Sequence, residues 1–147
     1  MNKIELNRYA ITVFEKTFQE NGFMIEESPL SIGQVNFLAT SKGSGTIKIK
    51  VKAITQLGSY IFIEKTKFNI IDPDLYMAVL YKSNNEEEKV LYLIPAAEWG
   101  KDIYPFSGKD YNKEGQVSLP EWGICYSQKA KDAMEPYRFS EMIKIFD

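Results

Sequence analysis

Residues 46–53 read Thr-Ile-Lys-Ile-Lys-Val-Lys-Ala, an unbroken alternation of apolar and cationic side chains. Successive side chains of a strand point to opposite faces, so Ile47, Ile49, Val51 and Ala53 share one face and Lys48, Lys50 and Lys52 the other. A helix would scatter both sets around its circumference. The chain must therefore build a sheet whose apolar face at this strand is covered by something else. Two further runs, 75–82 and 89–94, are apolar with little alternation. They predict strands covered on both faces, with 89–94 as the central one.

The covering element is legible at the N-terminus. Asn2, with Glu5 three residues on, makes a variant capping box that starts a helix near residue 3. Ile4, Ile11, Phe14 and Phe18 recur at helical spacing, Leu6, Ala10 and Val13 widen the stripe, and Asn21-Gly22 supplies the stop. Strands are expected at 23–26, 33–40 and 60–67, with breaks at 28–30, 41–45 and 56–59 and a polar hairpin loop at 83–88. Beyond residue 95 the pattern predicts a helical turn at 96–99, a long loop at 100–120, a short strand at 122–126, and helices at 128–134 and 140–146. The order predicts an α+β (mixed α/β) fold with an N-terminal helix packed on a central mixed β-sheet and C-terminal helices. We read one domain over 1–147, with its core at about 3–95 and a loop-rich, helical extension at 96–147.

Composition narrows the chemistry. The 147 residues contain no histidine, which removes histidine general bases, histidine metal ligands and every nucleophile activated by imidazole. The one cysteine, Cys125, allows neither an internal disulfide nor a multi-thiolate zinc site, and between Ile124 and Tyr126 it reads as a small buried apolar residue. The apolar runs are far shorter than a membrane span, and the N-terminus has no signal-peptide core, so a soluble cytoplasmic protein is expected. Net charge is −2, yet residues 42–67 carry +5, against −2 for 1–41 and −5 for 68–147. The whole molecule is thus no general polyanion binder, but its middle can form a basic face. Only Arg8 and Arg138 are arginines, so bidentate phosphate readout is poorly supplied.

The element order, with Gln34-Val35-Asn36-Phe37 in the second strand and Lys50-Val51-Lys52 in the third, resembles the core of the PD-(D/E)XK, or restriction-endonuclease-like, nuclease superfamily. The resemblance covers roughly residues 3–95. It implies a helix before a three-stranded meander, an acid in the second strand, and an acid-x-lysine triplet in the third. In that family the two carboxylates hold a magnesium ion that activates water, and the lysine positions that water. Matched residue by residue, the first acid falls on Asn36, the second on Lys50, and the lysine on Lys52. Both carboxylates are replaced, so a cation there is repelled and no cofactor is expected. Magnesium would return only if an acid reached the cleft from elsewhere, with Glu5, Glu15, Glu20, Glu26, Glu27 and Glu64 as the candidates. A literal match, Pro73-Asp74 with Glu87-Glu88-Lys89, falls on a strand opening and a hairpin tip, where solvated groups make a poor site.

Three functions follow. The first is a catalytically inactive nuclease-like domain that binds nucleic acid, or a nuclease partner, with Lys48, Lys50 and Lys52 as a strip for phosphates. Against it stands the plain alternative that these lysines coat an exposed strand and discourage edge pairing. The second is a protein-binding regulatory or immunity-type module that uses the aromatic loop after residue 100. The third is an active metal-dependent nuclease with relocated acids. Trp99, Tyr104, Phe106, Tyr111 and Trp122 are either a stacking platform or pins that hold the long loop to the core. Gln56 and Tyr60 match a Gln-x-x-x-Tyr spacing found on a helix in some of these nucleases, but Gly58-Ser59 argues for a turn and a strand.

Overall fold

The computed structural model describes residues 1–28, 35–84, 88–111, 113–115 and 117–146. Helix α1 runs Lys3–Glu20, and the Asn2 side chain caps it by accepting the Glu5 N–H at 2.8 Å. Gly22 follows at φ +88°, a left-handed position that glycine takes without a Cβ penalty. Strands β1 (Met24–Glu27), β2 (Phe37–Ser41) and β3 (Gly45–Ile54) form the antiparallel meander. The start of the strand expected at 33–40 lies outside the described residues, as does half of the hairpin loop, residues 85–87, including Glu87 of the literal match.

Strand β4 (Ser59–Glu64) leaves this sheet, and a 3-10 turn, Lys65–Lys67, ends the strand that the sequence carries on to residue 67. Strand β5 (Leu75–Lys82) returns parallel to β3, and β6 (Lys89–Pro95) follows antiparallel, giving the sheet order β1-β2-β3-β5-β6. The remaining strands, β7 (Ser107–Lys109) and β8 (Glu121–Tyr126), join β4 in a second sheet ordered β4-β8-β7. Two short helices, α2 (Gln128–Ala133) and α3 (Phe139–Met142), close the chain, the latter continuing as a 3-10 turn over Ile143–Phe146.

These parts make three layers. On one face of the large sheet, Ala10, Phe14 and Phe18 of α1 and Phe139 of α3 pack on Phe37, Ile49, Val51, Ala78 and Leu80. On the other, Met77, Val79, Tyr92 and Ile94 meet Ile61, Ile63, Ile124 and Tyr126 of the small sheet. Both faces of β5 are thereby buried, which explains its unbroken apolar run. The expected assignment of 89–94 as the central strand is corrected: β6 is an edge. It stays apolar because the C-terminal segment covers it, with Tyr92 bridged to Arg138. Ile4, expected in the buried stripe of α1, is 70% exposed because the helix start overhangs the sheet. Cys125 is exposed, not buried, because Ile124 and Tyr126 take the inward positions of β8. Among the described residues, no helix is long and apolar enough to cross a membrane.

Candidate functional site

The lysine face of β3 does not look into open solvent. Register pairs Lys50 with Met77 and Lys52 with Val79, so these lysines project on the side where the small sheet packs. Beyond the end of that packing the two sheets part, and Lys50 and Lys52 line the crevice with Phe62, Ile63, Glu64 and Lys67. Lys50 and Lys52 also border a separate groove of about 520 Å³, which they share with Lys3, Asn7 and Arg8 of α1. Strand β3 is paired with β5 over Lys48–Ile54 but with β2 only over Gly45–Ile49, so Lys50 and Lys52 lie where β3 runs past the end of β2 and there also discourage pairing at that edge.

Burial lowers the Lys50 ammonium below the usual lysine range, and the charge of Lys67 adds to this. Lys52 is lowered by burial first, then by Lys50, Lys67 and Lys3. Among the described residues, neither Lys50 nor Lys52 has a carboxylate within 4.0 Å, whereas Glu64 stands 3.6 Å from Lys67. A cluster of half-desolvated like charges raises the free energy of the fold and lowers that of an anion placed among them. Lys48, expected in the same strip, is ion-paired with Asp72 and is therefore spent on the loop before β5. Its place is taken by Lys67 and Lys3. The charge count pointed to Lys67, but only the 3-10 turn after β4 swings it back toward β3, and nothing in the sequence links Lys3 to Lys52.

Asn36 lies at the entry to β2, where its carboxamide oxygen accepts the Val51 N–H at 2.7 Å. It sits beside the two lysines along the chain of β3, but that oxygen serves the backbone. Of the six acids proposed as replacements, Glu64 is the one that shares the lysine crevice. Glu5 bonds the Asn2 side chain at 2.8 Å, and Glu20, Glu26 and Glu27 are exposed. The residues present do not fit the magnesium ion that the resemblance implies. One family carboxylate is an engaged amide, the other is an ammonium, and among the described residues no group of three or more His, Cys, Asp or Glu side chains could hold a metal ion.

Elsewhere, the aromatic residues divide. Trp99 and Phe106 are buried against each other, with ring centroids 5.1 Å apart, and pin the long loop. Tyr104 is exposed, and Trp122 lies under the Lys65 ammonium at 4.1 Å. Gln56 is exposed in the turn before β4 and Tyr60 lies on the strand, so their spacing is not helical. In the literal match, Asp74 is exposed and Glu88 pairs with Lys131.

No protein-family model matches the chain, and no curated protein sequence matches it. Among solved structures, it is similar to that of Archaeoglobus fulgidus Hjc, a Holliday junction resolvase from an archaeal hyperthermophile. The TM-score is 0.56 at 8% identity, over 94% of this chain and 95% of that one. The agreement spans nearly all of both chains and rests on element order and layer geometry, because so few residues are shared. The chain therefore has the restriction-endonuclease-like fold of nucleases such as Hjc.

Proposed function

We propose that the chain is a nuclease-fold domain that binds the phosphate backbone of a nucleic acid through Lys50, Lys52 and Lys67, with Lys3 and Arg8 at the margin, and does not cut it. The observation that carries this reading is the pair Lys50 and Lys52: two half-buried ammonium groups on the inner strand β3, turned into a groove and given no carboxylate partner among the described residues. Such an arrangement costs stability, and a phosphate chain is the kind of ligand that offsets that cost. Similarity of fold to a resolvase supports the choice of a nucleic acid over a small anion, while the amide at Asn36 and the ammonium at Lys50 argue against cleavage.

Fluorescence anisotropy of labelled DNA and RNA over a salt series tests this. Neutralising three phosphates predicts a slope of about −3 in log K against log salt on duplex DNA. Replacing Lys52 by alanine should reduce that slope by about one unit, and no cleavage product should form with Mg²⁺ or Mn²⁺. Binding that ignores salt would remove the reading. Metal-dependent nicking lost in Lys52→Ala would instead support an active nuclease drawing on Glu64. A protein-binding role draws on a different surface, where Ile103, Tyr104, Val117 and Leu119 are exposed in the long loop and its flanks.

A further inference from the structure

Phe62 is a large apolar ring, 47% exposed, on the rim of a cationic crevice. Its neighbour two residues back on β4, Tyr60, lies parallel to it, with ring centroids 5.4 Å apart and planes 14° from parallel. Tyr60 is held firmly. Its hydroxyl donates to Glu121, its ring lies across Gly123 where a Cβ would overlap it, and the Lys109 ammonium stands 4.6 Å from its centroid. Phe62 therefore rests on a fixed support. The Lys52 ammonium lies 5.7 Å from the Phe62 centroid, and Lys3 and Lys52 line the same recess as Tyr60 and Phe62.

From this geometry we infer that the crevice takes single-stranded nucleic acid, with a base stacked on Phe62 beside phosphates held by Lys50, Lys52 and Lys67. The inference rests on the phosphate-binding reading above and adds the class of strand. A cation alone would accept any polyanion. A ring next to that cation adds a contact that only an unpaired base can reach, because bases in a duplex present their faces to one another. Stacking on an aromatic ring needs no hydrogen bonds to base edges, which suits a groove whose charged groups are mostly lysines. The rigid backing by Tyr60 reduces the side-chain freedom lost when the base arrives.

The test compares a labelled twelve-nucleotide oligothymidine with a duplex of the same length, both at one moderate salt concentration. The expected result is tighter binding of the single strand by the unmodified protein. In Phe62→Ala the ratio of single-strand to duplex affinity should fall about ten- to a hundredfold, the loss that follows from one stacked base. Phe62→Trp, which keeps a ring at an exposed position, should restore the ratio. Circular dichroism and thermal melting establish that each variant is folded. Equal loss for both probes in Phe62→Ala, no loss in either, or preference for the duplex by the unmodified chain would overturn the inference while leaving the phosphate-binding reading intact. If neither probe binds in a salt-dependent way and Lys52→Ala changes nothing, it is the phosphate-binding reading that fails.

Discussion

The Asn36 carboxamide accepts the backbone N–H of Val51 at 2.7 Å, and so extends the β2–β3 ladder by one side-chain rung. Val51 itself packs against α1, while Lys50 and Lys52 on either side of it turn into the groove. The side chain that would carry the first family acid thus fixes the stretch of β3 that presents both lysines. Its role in this chain is to hold a strand.

That role predicts the effect of truncation. In Asn36→Ala the Val51 N–H loses its acceptor in a half-buried setting, a cost of about 1–3 kcal/mol. Urea unfolding should show the midpoint falling with little change in the dependence on denaturant. Asn36→Asp keeps the acceptor and should lie much closer to the unmodified chain. Equal losses for the two variants would mean that Asn36 serves stability in some other way.

The same pair of positions gives a gain-of-function prediction. Asn36→Asp together with Lys50→Glu changes the local charge by −3 and supplies two carboxylates beside Lys52. Binding of Mn²⁺, followed by paramagnetic relaxation of solvent water, should strengthen at least tenfold over the unmodified chain, equivalent to about 1.4 kcal/mol. Unchanged Mn²⁺ affinity in a folded double variant would show that charge is not what separates this site from a metal centre.

How far the sequence reached into this site can be judged from particular residues. The alternation at 46–53 and the capped stripe on α1 depend on local periodicity, which no tertiary contact had to supply, and the structure places the strand as read and the stripe as read except at Ile4. The run at 89–94 was harder, because an edge strand covered by a C-terminal segment and a central strand carry the same apolar signature. Strand β4 also gave no sign that it belongs to a second sheet, since strand patterning does not encode the partner. The crevice exists only because β4 leaves, so its membership of Lys67, Glu64 and Phe62 was out of reach of spacing arguments. Lys48 was lost from the strip for a similar reason: its partner Asp72 is 24 residues away.

The depressed lysines make stability and binding respond oppositely to pH. Burial and mutual repulsion hold Lys50 and Lys52 below the ordinary value of 10.5. Over the interval between the lowered values and 10.5 these two lysines bind more protons in the unfolded chain than in the folded one, so their contribution to stability rises with pH, while the buried tyrosines, raised above 10.0, act in the opposite sense as pH nears 10. Polyanion affinity should fall over the same interval, because the ligand favours the protonated amines. Lys52→Met should raise stability by roughly 0.5–2 kcal/mol near neutral pH and flatten its rise, while weakening nucleic-acid binding. Thermal melts of the unmodified chain and of Lys52→Met, paired with anisotropy across the interval, check both signs, and a stability difference between the two that runs parallel to affinity would contradict the assignment.

Gly123 and Tyr60 give the last prediction, because they stand across the β4–β8 pair from one another, two residues out of direct register. Phe62 is the residue that Gly123 faces directly, and Tyr60 leans over the glycine from two residues back, on the same face of β4. A Cβ at Gly123 would occupy space that the Tyr60 ring already fills, so Gly123→Ala must push the ring away or bend the strand, at about 1–3 kcal/mol. Displacing the ring also breaks its bond to Glu121 and removes the support beneath Phe62. Tyr60→Ala frees the space, so the double variant should lose less stability than the two single losses combined, with a coupling of about 0.5–3 kcal/mol. Urea midpoints of the four proteins measure this. Additive losses would mean that the ring and the glycine do not share that space, and the fixed platform at the groove would then lack its foundation.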